Sequence, residues 1–380
     1  MIPVNEPLLL EREAELVAEC VRSGWVSSAG RFIDEFERQW AEYCGRRHGI
    51  AVCNGTAALQ VAVAALGLEP DDEVILPTFT IISCALAVIQ AGATPVLVDS
   101  DPETWTMDVR ALAERITPRT KAIMPVHIYG HPADMDPILD AAERYGLAVI
   151  EDAAEAHGAE YLSRRAQPEG GWVRCGKFGA ASCFSFYANK LVTTGEGGMI
   201  VTDDAGMAEK ARLLRNLHFH PARRYYHEAL GFNFRMTNLQ AALGLGQLER
   251  MESIVAKKRW MGQEYTKHLQ DLPALQLPPQ EPWARSVYWM YGIVLSPDTG
   301  MSGAEAAQAL RARGVETRPF FVGMHDQPVL RERGWFHDET YPVADRLAAQ
   351  GLYLPSGLAL THDQLRRVVD AVREVLPVRA

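Results

Sequence analysis

Between Asn54 and Val201, short apolar runs alternate with longer stretches of small and helix-favouring residues. Glu73–Leu76 (EVIL), Thr94–Val98 (TPVLV), Lys121–Val126 and Leu147–Ile150 (LAVI) read as strands, the first halted by Pro77. Ala57–Leu68, Thr80–Ala91 and Asp134–Tyr145 read as helices between them. Asp108 reads as the cap of a further helix running to Ile116, because an aspartate accepts from first-turn amides. Such alternation predicts a mostly parallel sheet with helices on both faces.

The rhythm then changes. Ala181–Tyr187 (ASCFSFY) and Gly198–Thr202 (GMIVT) read as two strands close in sequence, and a long helical stretch runs from Thr237 to Leu269. Pro273, Pro278, Pro279 and Pro282 then crowd one short segment. Proline interrupts helices and ladders alike, so the boundary falls here. A large domain is expected over residues 1–270 and a smaller α+β domain over 271–380. In the second, Tyr288–Leu295 reads as a strand, and Gly303–Arg313 and Asp363–Val375 as helices.

Composition narrows the classes. The 380 residues are 48% hydrophobic and 23% charged, which excludes disordered and collagen-like chains. Lys and Arg total 38 against 48 Asp and Glu, a net charge of −10 with no long basic run, so no nucleic-acid partner is expected. No apolar run reaches the ~20 residues of a membrane-spanning helix, and the first ten residues do not read as a signal peptide. Six cysteines without a CxxC spacing predict neither a disulfide framework nor a metal site, and make a reducing cytoplasm the default.

The densest chemical signal is Ser182–Gly198, SCFSFYANKLVTTGEGG. A strand runs into Lys190, and a Gly-rich turn follows. Beside Phe184, Phe186 and Tyr187 the amine would be desolvated, which lowers its pKa and makes it nucleophilic. Taken alone, Lys190 reads first as a solvated hairpin lysine, since most lysines are solvated. Asp152 stands just past the strand Ala148–Ile150, where an α/β sheet places its ligand crevice. A carboxylate there suits a protonated ring nitrogen, a cap on the AAEAHG stretch, or both at once. Asn54–Gly55–Thr56 opens a helix with a hydroxyl beside free amides, a phosphate cradle by mechanism though a common helix start. Ser185 adds a hydroxyl to the same phosphate or is an inward strand serine.

These pieces in this order resemble the DegT/DnrJ/StrS family of sugar aminotransferases. The likeness runs through SGWVSSAGRFIDEFE, CNGTAAL, DEVILPTFT, VHIYGHPADM, VIEDAAEAHGA, FSFYANKLVTTGEGG and GFNFRMTNLQAALGLGQLE. It implies the aspartate-aminotransferase-like fold type I, an α/β fold with a large mixed, mostly parallel sheet domain and a small C-terminal one. It also implies pyridoxal 5′-phosphate as cofactor. Lys190 matches the lysine that bonds to the cofactor aldehyde and then shuttles a proton. Asp152 matches the partner of the pyridine nitrogen, and Glu155 a position, often Gln, near the ring hydroxyl. Gly55, Thr56 and Ser185 match the phosphate site. Asn233 matches a residue that reaches the phosphate of the neighbouring subunit, which implies a homodimer with shared sites. Ile81 stands where many relatives carry a ring-stacking aromatic. A lineage with dehydratase activity replaces the lysine by His, so Lys190 favours amino transfer.

Glu316–His325 (ETRPFFVGMH) most resembles family members that aminate GDP-4-keto-6-deoxy-mannose with glutamate. On that likeness Arg318 would hold pyrophosphate or carboxylate, Phe320 and Phe321 would wall the sugar, and His325 would bond a hydroxyl. The alternatives are a surface ion pair for Arg318 and small-domain core for the two phenylalanines. UDP- or dTDP-keto sugars, a cyclitol, dehydration instead of amino transfer, and a non-enzymatic sensor remain the competing readings.

Overall fold

The computed structural model describes residues 1–166, 169–220 and 222–376. Its main sheet has seven strands: β1 (His48–Val52), β2 (Glu73–Pro77), β3 (Thr94–Val98), β4 (Thr120–Ile123), β5 (Ala148–Asp152), β6 (Ala181–Ser185) and β7 (Gly198–Thr202). They lie in the order β1-β7-β6-β5-β4-β2-β3. The pairs β2–β3, β2–β4, β4–β5 and β5–β6 are parallel, and only β7 runs against its two neighbours. β2, β6 and β7 are buried along their whole length and the others along most of it, which suits a sheet covered on both faces. The helices Gly55–Leu66, Ser83–Gln90 and Met135–Tyr145 connect successive strands, and Ala205–Arg215 follows β7.

Parallel strands bring their carboxyl ends to one edge. Asp152 ends β5, Ser185 ends β6, and the helix Gly55–Leu66 begins three residues after β1. These groups therefore meet because of topology, before any side-chain contact is considered.

A four-stranded antiparallel sheet follows: β8 (Leu275–Gln276), β9 (Tyr291–Leu295), β10 (Arg318–Pro319) and β11 (Gly351–Leu354), in the order β8-β9-β11-β10. Its core takes in Ile2 and the second half of the helix Met251–Leu269, through Met261, Tyr265 and Leu269.

Two local expectations are corrected. The helix expected from Asp108 shrinks to Leu112–Arg115, because the Asp108 carboxylate is engaged by the amide and guanidinium of Arg110 two residues on. That local turn competes with a helix start. The long helix expected over Thr237–Leu269 is two, Asn238–Leu248 and Met251–Leu269. Arg250 leaves helical geometry at the break, and its guanidinium pairs with the buried Glu13 carboxylate at 2.9 Å.

Candidate active site

After β6 the chain turns at once. The Phe186 amide donates to Gly197 O at 2.8 Å and the Lys190 amide to Tyr187 O at 2.9 Å. This turn swings Lys190 inward, into a cavity of about 430 Å³ at the carboxyl edge of the sheet. Its side chain is 9% exposed. Nζ lies 3.7 Å from Glu155 Oε1 and 3.6 Å from the centre of the Trp289 ring. Burial lowers the amine's pKa, and the carboxylates of Glu155 and Asp152 partly oppose that. The solvated-hairpin reading of this lysine does not describe the molecule.

Asp152 is 2% exposed at the cavity floor. Its two oxygens accept from the Ala154 amide at 3.0 Å and the Cys84 thiol at 3.1 Å. Both donors are neutral, and burial pushes the carboxyl's pKa up. Such a carboxylate is suited to a cation brought in by a ligand. Glu155 is also buried, accepts from the Tyr129 amide at 2.7 Å, and has its pKa raised by burial against the pull of Lys190.

Hydroxyls gather at the other end. Asn54 caps the helix Gly55–Leu66 by accepting from the Ala57 amide. That leaves first-turn amides with no partner inside the helix. Thr56 Oγ1 lies 2.7 Å from Ser83 Oγ, and both line the cavity with Ser185. A Cβ on Gly55 would stand 2.6 Å from the Ser185 Cβ, so only glycine lets the helix start this close to β6. Ile81 lines the same cavity with its side chain largely exposed.

The opposite wall is aromatic, made by Trp289, Phe321 and Tyr353. Tyr129 stands behind it, its ring stacked on Phe321 at 5.6 Å and its hydroxyl accepting from the Phe321 amide. Phe320 turns the other way, as consecutive residues of extended chain must. It packs in the core against Trp105 and Phe79. His325 does not line the cavity either, because its ring nitrogens are taken by Thr78 and Asp345. Arg318 is half exposed and pairs with Glu316 at 2.7 Å. Asn233 is exposed, outside the cavity of its own chain, and bridged to Asn216 through the backbone. Sequence reasoning missed Trp289, Tyr353, Ser83, Tyr187, Asn189 and Glu196. Of these only Tyr187, Asn189 and Glu196 had a signal, their place inside the lysine block.

A larger groove of about 710 Å³ lies elsewhere, lined by Arg212, Arg215, Asn216, His220 and Arg235. Among the described residues its lining has no lysine and no carboxylate.

A buried amine, two buried carboxyls and a hydroxyl-rich helix start at the edge of a fold-type-I sheet define an aminotransferase. The chain belongs to the DegT/DnrJ/EryC1/StrS aminotransferase family, whose profile matches residues 7–373. It is 44% identical over 376 residues to the GDP-perosamine synthase of Caulobacter vibrioides, covering 99% of this chain and 98% of that one. The GDP-perosamine synthase of Escherichia coli O157:H7 is 40% identical, covering 98% of each chain. Among solved structures, DesV of S. venezuelae superposes with a TM-score of 0.88 at 36% identity, over 97% of this chain and 95% of that one.

Proposed function

We propose that this protein is a pyridoxal-phosphate-dependent aminotransferase that moves an amino group from glutamate to a nucleotide-linked 4-keto-6-deoxy sugar, GDP-4-keto-6-deoxy-mannose, giving GDP-perosamine. The observation that carries the reading is a desolvated lysine facing a buried aspartate, with a hydroxyl-rich helix start in the same cavity. When bound, pyridoxal phosphate supplies an aldehyde and an electron-accepting ring, the chemistry that lets an amino group change carbons. Lys190 would offer the amine that holds the aldehyde, and its Nζ would be the group placed to move a proton there. Asp152, a carboxylate in a dry floor, would hold the ring nitrogen in its protonated form. Gly55, Thr56 and Ser185 receive the phosphate at the positive end of a helix. Phe321, Tyr353 and Trp289 exclude water from the sugar face. The nucleotide and the donor come from the likeness to the two GDP-perosamine synthases.

The working form is a homodimer. Trp25, Val26, Tyr225 and Leu230 are large hydrophobic side chains left exposed in the single chain, the kind a second copy would cover. Asn233, exposed in a single chain, is then offered to the neighbour's phosphate. All six cysteines are free, which fits the cytoplasm, and among the described residues no helix is long and apolar enough to cross a membrane.

The test incubates the protein and cofactor with glutamate and a panel of GDP-, UDP- and dTDP-linked keto sugars, followed by mass analysis. Amination of the GDP-linked sugar above all others is expected. Amination of a dTDP or UDP sugar alone, or of a cyclitol, would replace the substrate and keep the class. Loss of water without gain of nitrogen would replace the class itself.

A further inference from the structure

One buried charge has no part in this chemistry. Lys258, in the helix Met251–Leu269, is 2% exposed and pairs with no carboxylate among the described residues. Its Nζ donates to two backbone carbonyls, that of Trp289 at 2.9 Å and that of Ser356. Burial pulls its pKa down to about 7. Burying an amine is costly, and a methionine would fill the space without that cost. The contribution of the amine therefore lies in what it holds.

It holds Trp289. The indole face covers Lys190 Nζ at 3.6 Å, and the indole N–H donates to Asn189 O, one residue before that lysine, at 2.8 Å. The backbone carrying it is strained, with Tyr288 at φ 46°. The Tyr288 ring lies against Gly262, one turn beyond Lys258, where a Cβ would stand 2.5 Å from the ring. The facing strap is strained too, with Tyr129 at φ 52°, and a Cβ on Gly130 would stand 2.8 Å from the Trp289 backbone nitrogen. Strained backbone persists only where its surroundings over-determine it, and Lys258 is one of those surroundings.

We infer that Lys258 is a positioning residue for amino transfer: by anchoring the Trp289 carbonyl it keeps the indole face over the Lys190 amine. The inference rests on Lys190 being the amine that holds the cofactor. An indole face attracts an ammonium, so its presence favours protonated Lys190. Glu155 and Asp152, which also face the amine, act in the same direction, and burial acts against all three. Losing the ring contact is expected to lower the pH at which Lys190 half-titrates by about half a unit.

The test follows capture of pyridoxal phosphate by the full-length protein, as the rate of appearance of the lysine-bound absorbance against pH. Wild type, Lys258→Met, Trp289→Leu and the double variant are compared. Positioning through Trp289 predicts a downward shift of about half a unit in each single variant, with the double variant matching Trp289→Leu. Gly262→Ala leaves the ammonium in place and pushes on Tyr288, so it is expected to shift the profile the same way. It decides the matter should Lys258→Met fail to fold. An unshifted Lys258→Met or Gly262→Ala profile, an upward shift in either, or additive shifts in the double variant overturns the proposal. A wild type that captures cofactor at some other lysine overturns the reading of the site and the proposal with it.

Discussion

The two walls of the Lys190 cavity are built in different ways. The sheet wall is local, and each group on it sits at or just past the end of a strand: Asp152 at the end of β5, Ser185 at the end of β6, Gly55 and Thr56 after β1. The aromatic wall is assembled from distant places, with Trp289 before β9, Phe321 just past β10 and Tyr353 inside β11. The first wall carries the acids and the anion-binding amides. The second carries ring faces with few polar tips. Chemistry and cofactor grip are therefore assigned to the sheet wall, and water exclusion and substrate shape to the aromatic one.

The strongest break of that division is Lys190→Ala. Removing the one amine from the sheet wall is expected to lower amino transfer at least about a thousandfold, since a positioned proton carrier alone contributes on that order. The lysine-bound absorbance should vanish in the same sample. The thermal midpoint should not fall, because a desolvated amine is itself a cost to folding. A variant that kept turnover would move the chemistry off this wall.

A second comparison divides the aromatic side against itself. Phe320 and Phe321 are adjacent, yet one packs in the core and the other lines the cavity. Phe320→Ala is expected to cost about 3–5 kcal/mol of stability in urea melts, the usual toll of an emptied core aromatic. KM for the sugar should change little. Phe321→Ala should do the reverse, raising KM for the sugar with a smaller loss of stability. Equal effects on both quantities in both variants would erase the distinction.

The same division explains what could be read from the sequence. The βαβ rhythm, the lysine turn, Asp152 and the Gly55–Thr56 start were legible, because each depends on a few residues of continuous chain. Trp289 and Tyr353 were not. A tryptophan at the start of an apolar strand looks like core, and only the strained turn at Tyr288 aims it at Lys190. Phe320 and Phe321 were legible as a pair but not as opposites, since their alternation has no phase until β10 is docked on β11. His325 looked free in the chain, and the Thr78 and Asp345 that occupy it come from far apart.

On the sheet wall, Gly55→Ala tests the cradle separately from the chemistry. The new Cβ would stand 2.6 Å from the Ser185 Cβ, and both backbones there belong to regular elements. Overpacking of this kind costs about 1–3 kcal/mol. Cofactor affinity, measured by titration of the apoprotein, should weaken roughly tenfold or more on that scale. Turnover at saturating cofactor should hold within a few-fold. Unchanged affinity would take the phosphate away from this helix start.

The smallest expected effect concerns the seam between the walls. His131 follows the strap Ile128–Gly130, and among the described residues neither of its ring nitrogens has a hydrogen-bond partner. Burial lowers its pKa from 6.5 to about 4. Between those values the unfolded chain takes up a proton that the folded chain refuses. The sign follows: stability is full above about pH 6.5 and is lost as pH falls toward 4, by up to about 1.4 kcal/mol per pH unit. The carbonyl of the adjacent Gly130 accepts from the Val287 amide and the Ser286 hydroxyl, on the segment that leads to Trp289. Acid should therefore loosen the aromatic wall before the sheet wall. His131→Leu removes the proton site and keeps the bulk, so its urea midpoint should pull ahead of wild type as pH drops from 7 to about 5. His157, buried with its pKa lowered to about 3, stays in both proteins and leaves a common residual slope. Parallel midpoints for the two proteins across that range would show that His131 takes up its proton as readily in the folded chain as in the unfolded one, and the seam would then not be the part of the fold that acid loosens first.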